Sequence, residues 1–150
     1  MHQIRTRIIS RGTDMPQSAS WQFQHSLVLF RMYEQAPGHT PYMAIAEDEN
    51  GQVVGQLLAV TRWRKNLFPL YLYKQARVFG TGDYTDNANP QEIFGMLLGR
   101  LTRILKMKLC LYIEFSNIPY KMYGYQHLRA CGYFPTGWME THLDLKEANP

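Results

Sequence analysis

The stretch from Tyr42 to Thr61 constrains the fold more than any other. Two strand-like runs, 42–47 and 52–61, flank Asp48-Glu49-Asn50-Gly51. A tight β-hairpin needs positive φ in its turn, and Asn-Gly supplies it at least steric cost. The spacing predicts an antiparallel pair over 42–47 and 52–61 and excludes a helix across this region. The rest of the chain has to build a sheet around that pair.

The flanking segments alternate between strand and helix patterns. Ile4 to Ser10 reads as a short first strand, and 11–20 as a Gly/Pro/Ser-rich connection. Trp21, Leu27, Phe30 and Tyr33 share a helical face, so a helix is expected over 21–35, ended by Pro37-Gly38. A third strand is expected over 67–79, with Pro69 making its start irregular, then a Gly/Asp/Asn loop over 80–89. Residues 90–107 carry the clearest helical signal. Asn89 stands at the cap, Pro90 in the first turn and Glu92 at box-like spacing, ahead of a stripe of Ile93, Leu97, Leu101, Ile104 and Leu105. The nearly continuous apolar run 109–115 has the pattern of a strand covered on both faces. A helix over 119–131, stopped by Gly132, and a strand over 138–145 complete the order, and 146–150 is a polar tail. This order predicts an α/β (α+β) chain with a mixed, mostly antiparallel central sheet flanked by helices.

A length of 150 residues fits one domain, 1–150. A domain of that size buries roughly 70% of its unfolded surface, enough for a core without disulfides or metal. The formal charge of +4 is a mild excess. It could attract anionic partners such as RNA, phosphorylated substrates or an anionic membrane surface, but it falls short of a nucleic-acid-binding signature, and solubility is the favoured account. Cys110 and Cys131 have no CxxC partner and read as buried free thiols suited to a reducing compartment. The five histidines are scattered, so no metal is expected. Residues 1–5 lack a signal-peptide core and no apolar run is membrane-length, so the expected location is cytoplasmic, with no transmembrane segment and peripheral membrane contact left open.

The element order resembles the GNAT acyltransferase fold. Three segments carry a narrower resemblance: Pro41-Tyr42-Met43-Ala44-Ile45-Ala46 with Val54-Gly55-Gln56-Leu57-Leu58-Ala59, then Leu111-Tyr112-Ile113-Glu114-Phe115-Ser116-Asn117, then Leu128-Arg129-Ala130-Cys131-Gly132-Tyr133-Phe134-Pro135. Over roughly 20–145 they resemble the FemABX-like aminoacyltransferases, which form peptidoglycan interpeptide bridges. Those enzymes have two GNAT-like halves and move an amino acid from aminoacyl-tRNA onto a cell-wall precursor peptide. The resemblance implies that this chain matches the N-terminal half. Its partners would be a muropeptide precursor and aminoacyl-tRNA, with a second half or a homodimer partner beside it and no cofactor.

Arg77-Val78-Phe79-Gly80-Thr81-Gly82 fits the Arg-x-x-Gly-x-Gly pattern with which GNAT enzymes hold the coenzyme A pyrophosphate. Asp83 to Asn89 intervene before the helix, however, and Asp83 and Asp86 would repel phosphate. The segment also reads as a plain strand-to-helix turn, or as a site for the precursor peptide. Glu114, at the end of an apolar strand, is a candidate general base or the ion-pair partner of Arg77 or Arg103. Asn117 follows that strand where GNAT enzymes often place a polar residue facing the cofactor. Their general-acid tyrosine position is Leu128 here, which leaves Tyr123, with Tyr120 and Tyr125, as substitutes or as packing residues. Arg62, Trp63 and Arg64 could bind RNA or phosphate with the indole stacked on a base, or form a solvated loop. Arg100, Arg103, Lys106 and Lys108 read as a solvated helix face, and His127 with Cys131 as packing.

Three functional readings follow. The first is aminoacyl transfer of FemABX type, with Glu114, Asn117 and Tyr123 catalytic and Arg77, Gly80, Gly82, Arg62, Trp63 and Arg64 holding substrate. The second is a stand-alone GNAT N-acetyltransferase using acetyl coenzyme A (acetyl-CoA). The third is a non-catalytic substrate-binding or dimerisation module.

Overall fold

The computed structural model describes residues 4–16, 25–67, 70–116 and 124–135. The hairpin forms where Asn-Gly places it. Asp48 Oδ1 accepts from the N–H groups of Asn50 and Gln52 at 2.9 and 2.8 Å, and Gly51 takes φ 75°. Strands β2 (His39–Glu47) and β3 (Val53–Leu67) leave this turn as an antiparallel pair. β3 runs well past Thr61, where the sequence pattern ended it. It does so because β4 (Leu70–Phe79) returns along it, from Leu67↔Leu70 to Ala59↔Val78, and pairs its outer backbone groups.

β1 (Arg5–Ile9) adds to the free edge of β2, and β6 (Cys110–Ser116) lies parallel to β4, giving the order β1-β2-β3-β4-β6. After a break at Gly80–Gly82 the chain returns to β3 as a two-residue strand, β5 (Asp83–Tyr84), inside the stretch expected to be loop. The sheet is antiparallel except at β4–β6. β6 is not covered on both faces as its apolar run suggested: Leu111 and Tyr112 are exposed. An apolar run alone does not specify what packs on it. The strand expected over 138–145 lies outside the described residues.

Helix α1 (Leu27–Gln35) begins later than expected, because Ser26 caps it by accepting from Leu29 N–H at 3.2 Å. Trp21 lies outside the described residues. α1 seals one face of the sheet by packing Leu29 and Phe30 on Met43, Ile45, Leu58 and Val60. α2 (Pro90–Met107) has the expected bounds and covers the opposite face, setting Ile93, Leu97, Leu101 and Leu105 on Ala44, Leu57, Ala59 and Ala76. Each such fully buried large side chain contributes roughly 1.5–3 kcal/mol. Asn89 is the N-cap residue but makes no capping bond, so Pro90 and packing set the start of α2. α3 (Tyr125–Ala130) ends at Gly132, φ 87°, and packs closely on α2: a Cβ at Gly95 would meet the His127 ring at 2.5 Å. That contact fits the packing role read for His127.

Candidate active site

Side chains alternate along a strand, so β3 and β4 send Arg62, Arg64, Gln75 and Arg77 to the face that α1 occupies. α1 packs on β2 and the first part of β3, so these residues lie beyond its cover. Glu114 of β6, in register with Arg77, joins them. Arg77 Nε and Nη2 donate to Glu114 Oε1 at 3.1 and 2.9 Å, and Gln75 Nε2 donates to Oε2 at 2.8 Å. Gln75 Oε1 accepts from Arg64 Nε at 2.8 Å. A carboxylate offers about four acceptor positions, so these three bonds leave room for one further donor. Beside this ladder a shallow depression of about 380 Å³ is lined by Arg64, Tyr73, Gln75, Leu111 and Tyr112.

At the carboxyl end of β4, Gly80 and Gly82 take φ 58° and 94°. Gly80 N–H donates to Ser116 O at 2.7 Å, and Tyr84 Oη donates to Thr81 O at 2.5 Å. A Cβ on Gly82 would meet Tyr84 Oη at 2.6 Å and Gln56 O at 2.9 Å. In the gap along β3 between its β4 and β5 pairings lies His25. Its buried ring accepts from Leu58 N–H at Nδ1, 3.2 Å away, and its carbonyl accepts from Gln56 Nε2 at 2.7 Å. Burial lowers the His25 pKa to about 4, against an opposing pull from Asp83.

The structure brings together Arg64, Arg77 and Glu114 from the expected site residues. It separates Trp63 from its neighbours. The segment is strand rather than loop, so Trp63 points to the opposite face, where Lys74 Nζ lies 4.9 Å from its ring. Asn117, Tyr123 and Tyr120 lie outside the described residues. Gln75 was missed, although counting back two residues from Arg77 along a strand puts it on the same face.

No family model matches the chain, and no curated protein matches it. Solved structures do. A transcriptional regulator from Bacillus halodurans is 14% identical over 78% of this chain and 74% of its own, with a TM-score of 0.55. A glucosamine-6-phosphate N-acetyltransferase from Arabidopsis thaliana is 11% identical over 93% and 99%, with a TM-score of 0.54. An aminoglycoside N-acetyltransferase in complex with CoA is 14% identical over 96% of each chain, with a TM-score of 0.55. The fold is GNAT-like. The likeness supports that fold and not the FemABX family in particular.

Within this GNAT-like frame the residues at 77–82 do not fit a coenzyme A pyrophosphate. Tyr84 and the β3 backbone fill the space over Gly82, Gly80 N–H is bonded to β6, and Arg77 is bonded to Glu114. α2 starts only at Pro90, with Glu92 in its first turn. The glycines serve instead to turn the chain back to β3. Tyr133, in the Gly-Tyr-Phe-Pro segment, is a packing residue. It stands edge-on to Phe115 at 5.1 Å and shares a 2.8 Å hydrogen bond with Thr102, and burial pushes its pKa up to about 12. Both cysteines are free and partly buried, and burial raises the Cys110 pKa. Among the described residues no three His, Cys, Asp or Glu side chains are grouped to hold a metal, and no helix is long and apolar enough to cross a membrane.

Proposed function

We propose that the chain is a stand-alone N-acyltransferase of GNAT type, passing an acetyl or similar acyl group to an amine. The observation that carries this reading is Glu114, a carboxylate with one acceptor position left, set beside a depression on the part of a GNAT-like sheet beyond α1. In this reading the amine donates one N–H to Glu114 and attacks the activated carbonyl carbon. As the new amide bond forms, that proton passes to the carboxylate, the bond between the carbonyl and its donor breaks, and the donor leaves as a thiolate or alkoxide that is reprotonated from Glu114 or water. Arg77 and Gln75 fix the carboxylate from two sides, and Arg64 fixes Gln75.

The test is a calorimetric titration with acetyl coenzyme A, followed by a transfer assay against a panel of amines. Micromolar binding, with transfer lost in Glu114→Gln, supports the reading. Absence of both heat and thermal shift removes the acetyl donor. The closed Gly80–Gly82 turn favours a second reading, aminoacyl transfer from a donor other than coenzyme A, as the FemABX resemblance implies. A muropeptide precursor and aminoacyl-tRNA are then the ligands to test, and binding without transfer would leave only a substrate-binding module.

A further inference from the structure

The charges of this chain are divided by position. Residues 53–79 hold five Lys and Arg and no Asp or Glu, and residues 93–113 hold four and none. The fold brings parts of both stretches to one end. The outer arm of β3 and β4 meets the C-terminal end of α2 where Lys74 pairs with Cys110, shortly after the helix. Acidic side chains gather at the opposite end, from Glu47 to Glu49 at the β2–β3 turn, with Asp83, Asp86 and Glu92 around β5 and the start of α2.

On the sheet face that carries α2, the arm sets Trp63 opposite Lys74 and Lys65 opposite Leu72. Met107 and Leu109 stand at the helix end, just before Cys110, the β6 residue in register with Lys74, and Lys106 and Lys108 are their neighbours in sequence. Trp63 and Leu72 are each 55% exposed, Met107 69% and Leu109 83%. Leu109 is unusual in a second way. Its φ is 59°, and its N–H donates to Lys106 O at 3.0 Å, so it holds the left-handed position after a helix that glycine fills without strain. A branched side chain kept both strained and exposed points to use outside the fold.

We infer that this end of the molecule docks on an anionic lipid bilayer. Trp63, Leu72, Met107 and Leu109 enter the interface while the neighbouring lysines meet headgroup phosphates. The aliphatic side chains decide against RNA, because stacking needs aromatic faces and Trp63, the indole among the described residues of this surface, already carries Lys74. A second copy is disfavoured because a twofold contact would bring the lysines of both chains together. The inference does not depend on the acyl-transfer reading.

The test is co-sedimentation of the full chain with phosphatidylcholine vesicles, with and without phosphatidylglycerol. Binding is expected only with the anionic lipid and weakens as salt rises. Leu109→Gly removes the side chain and the strain together, so thermal stability should hold or rise while vesicle affinity falls roughly tenfold. Leu72→Ser should weaken binding by a similar factor. Four results overturn the inference: no preference for the anionic vesicles, full affinity in both variants, preferential binding of a single-stranded RNA oligonucleotide, or a dimer that Leu109→Gly disperses.

Discussion

On the α1 face of the sheet, β3 changes character at Thr61. Before it, Leu58 and Val60 lie under Phe30, with Met43 and Ile45 alongside. After it, Arg62 and Arg64 follow on the same face, and the neighbouring strands add Gln75, Arg77 and Glu114. The backbone ladder continues through both regions. Only the helical cover differs. The apolar side chains are needed where α1 lies, and the sheet beyond it is free to carry a connected set of charges. Stability and chemistry should therefore separate along one strand.

The largest expected effect lies in the covered region. Phe30 is fully buried, so Phe30→Ala should cost about 3–5 kcal/mol in urea denaturation. A cost under about 1 kcal/mol would mean that α1 does not seal this face and would break the comparison. The matching change in the open region is Glu114→Gln. Its ion pair with Arg77 is partly exposed, and such pairs contribute about 0–1 kcal/mol, so stability should hardly move. Acyl transfer should slow by roughly 10²–10⁴-fold if Glu114 is the base. A Glu114→Gln variant that unfolds as Phe30→Ala does would make the ladder a structural feature.

The covered region was the more legible in the sequence. The Asn50-Gly51 turn, the bounds of α2 and the apolar stripes followed from local backbone preference and periodicity, both encoded within a few residues. The open region depended on pairing. Trp63 and its arginines read as one cluster until β4 paired with that segment and alternation split them. Glu114 was recognisable as a carboxylate at a strand end, and Arg77 was one of two named partners. Strand alternation could place Gln75 on the Arg77 face, but its bond to Glu114 became visible only once β4 and β6 were parallel neighbours, a contact between residues 39 positions apart. The Arg-x-x-Gly-x-Gly spacing was present, but the filling of its turn by Tyr84 is a tertiary event that the spacing does not encode.

His25 tests the seam between β4 and β5, where a polar side chain does lie inside the covered region. Its folded pKa, about 4, is below the ordinary 6.5, so folding favours the neutral ring. That contribution is complete above pH 6.5 and is lost as pH falls toward 4, amounting to about 3 kcal/mol. Urea denaturation of the native chain and His25→Asn across that window should show it. Asparagine keeps an acceptor for Leu58 N–H and does not titrate, so its stability should fall less steeply. Equal slopes would place the acid sensitivity elsewhere.

The smallest expected effect is also the most specific to the open region. Gln75 is buried, yet its amide joins a guanidinium to a carboxylate, and no other type of side chain of that length both accepts from Arg64 and donates to Glu114. Gln75→Leu keeps the volume and removes both bonds. Arg64 can turn to water and Glu114 retains Arg77, so the cost should be about 1 kcal/mol. In the covered region the same exchange of polar for apolar would leave no ion misplaced. Here it frees one oxygen of Glu114 and lets the carboxylate rotate about its bond to Arg77. If the carboxylate must be held in place to take a proton, kcat should fall while KM stays put, because the interaction matters only in the transition state. A rise in KM alone would make Gln75 part of the binding surface, and unchanged kinetics would leave Arg77 as the sole positioning group for Glu114.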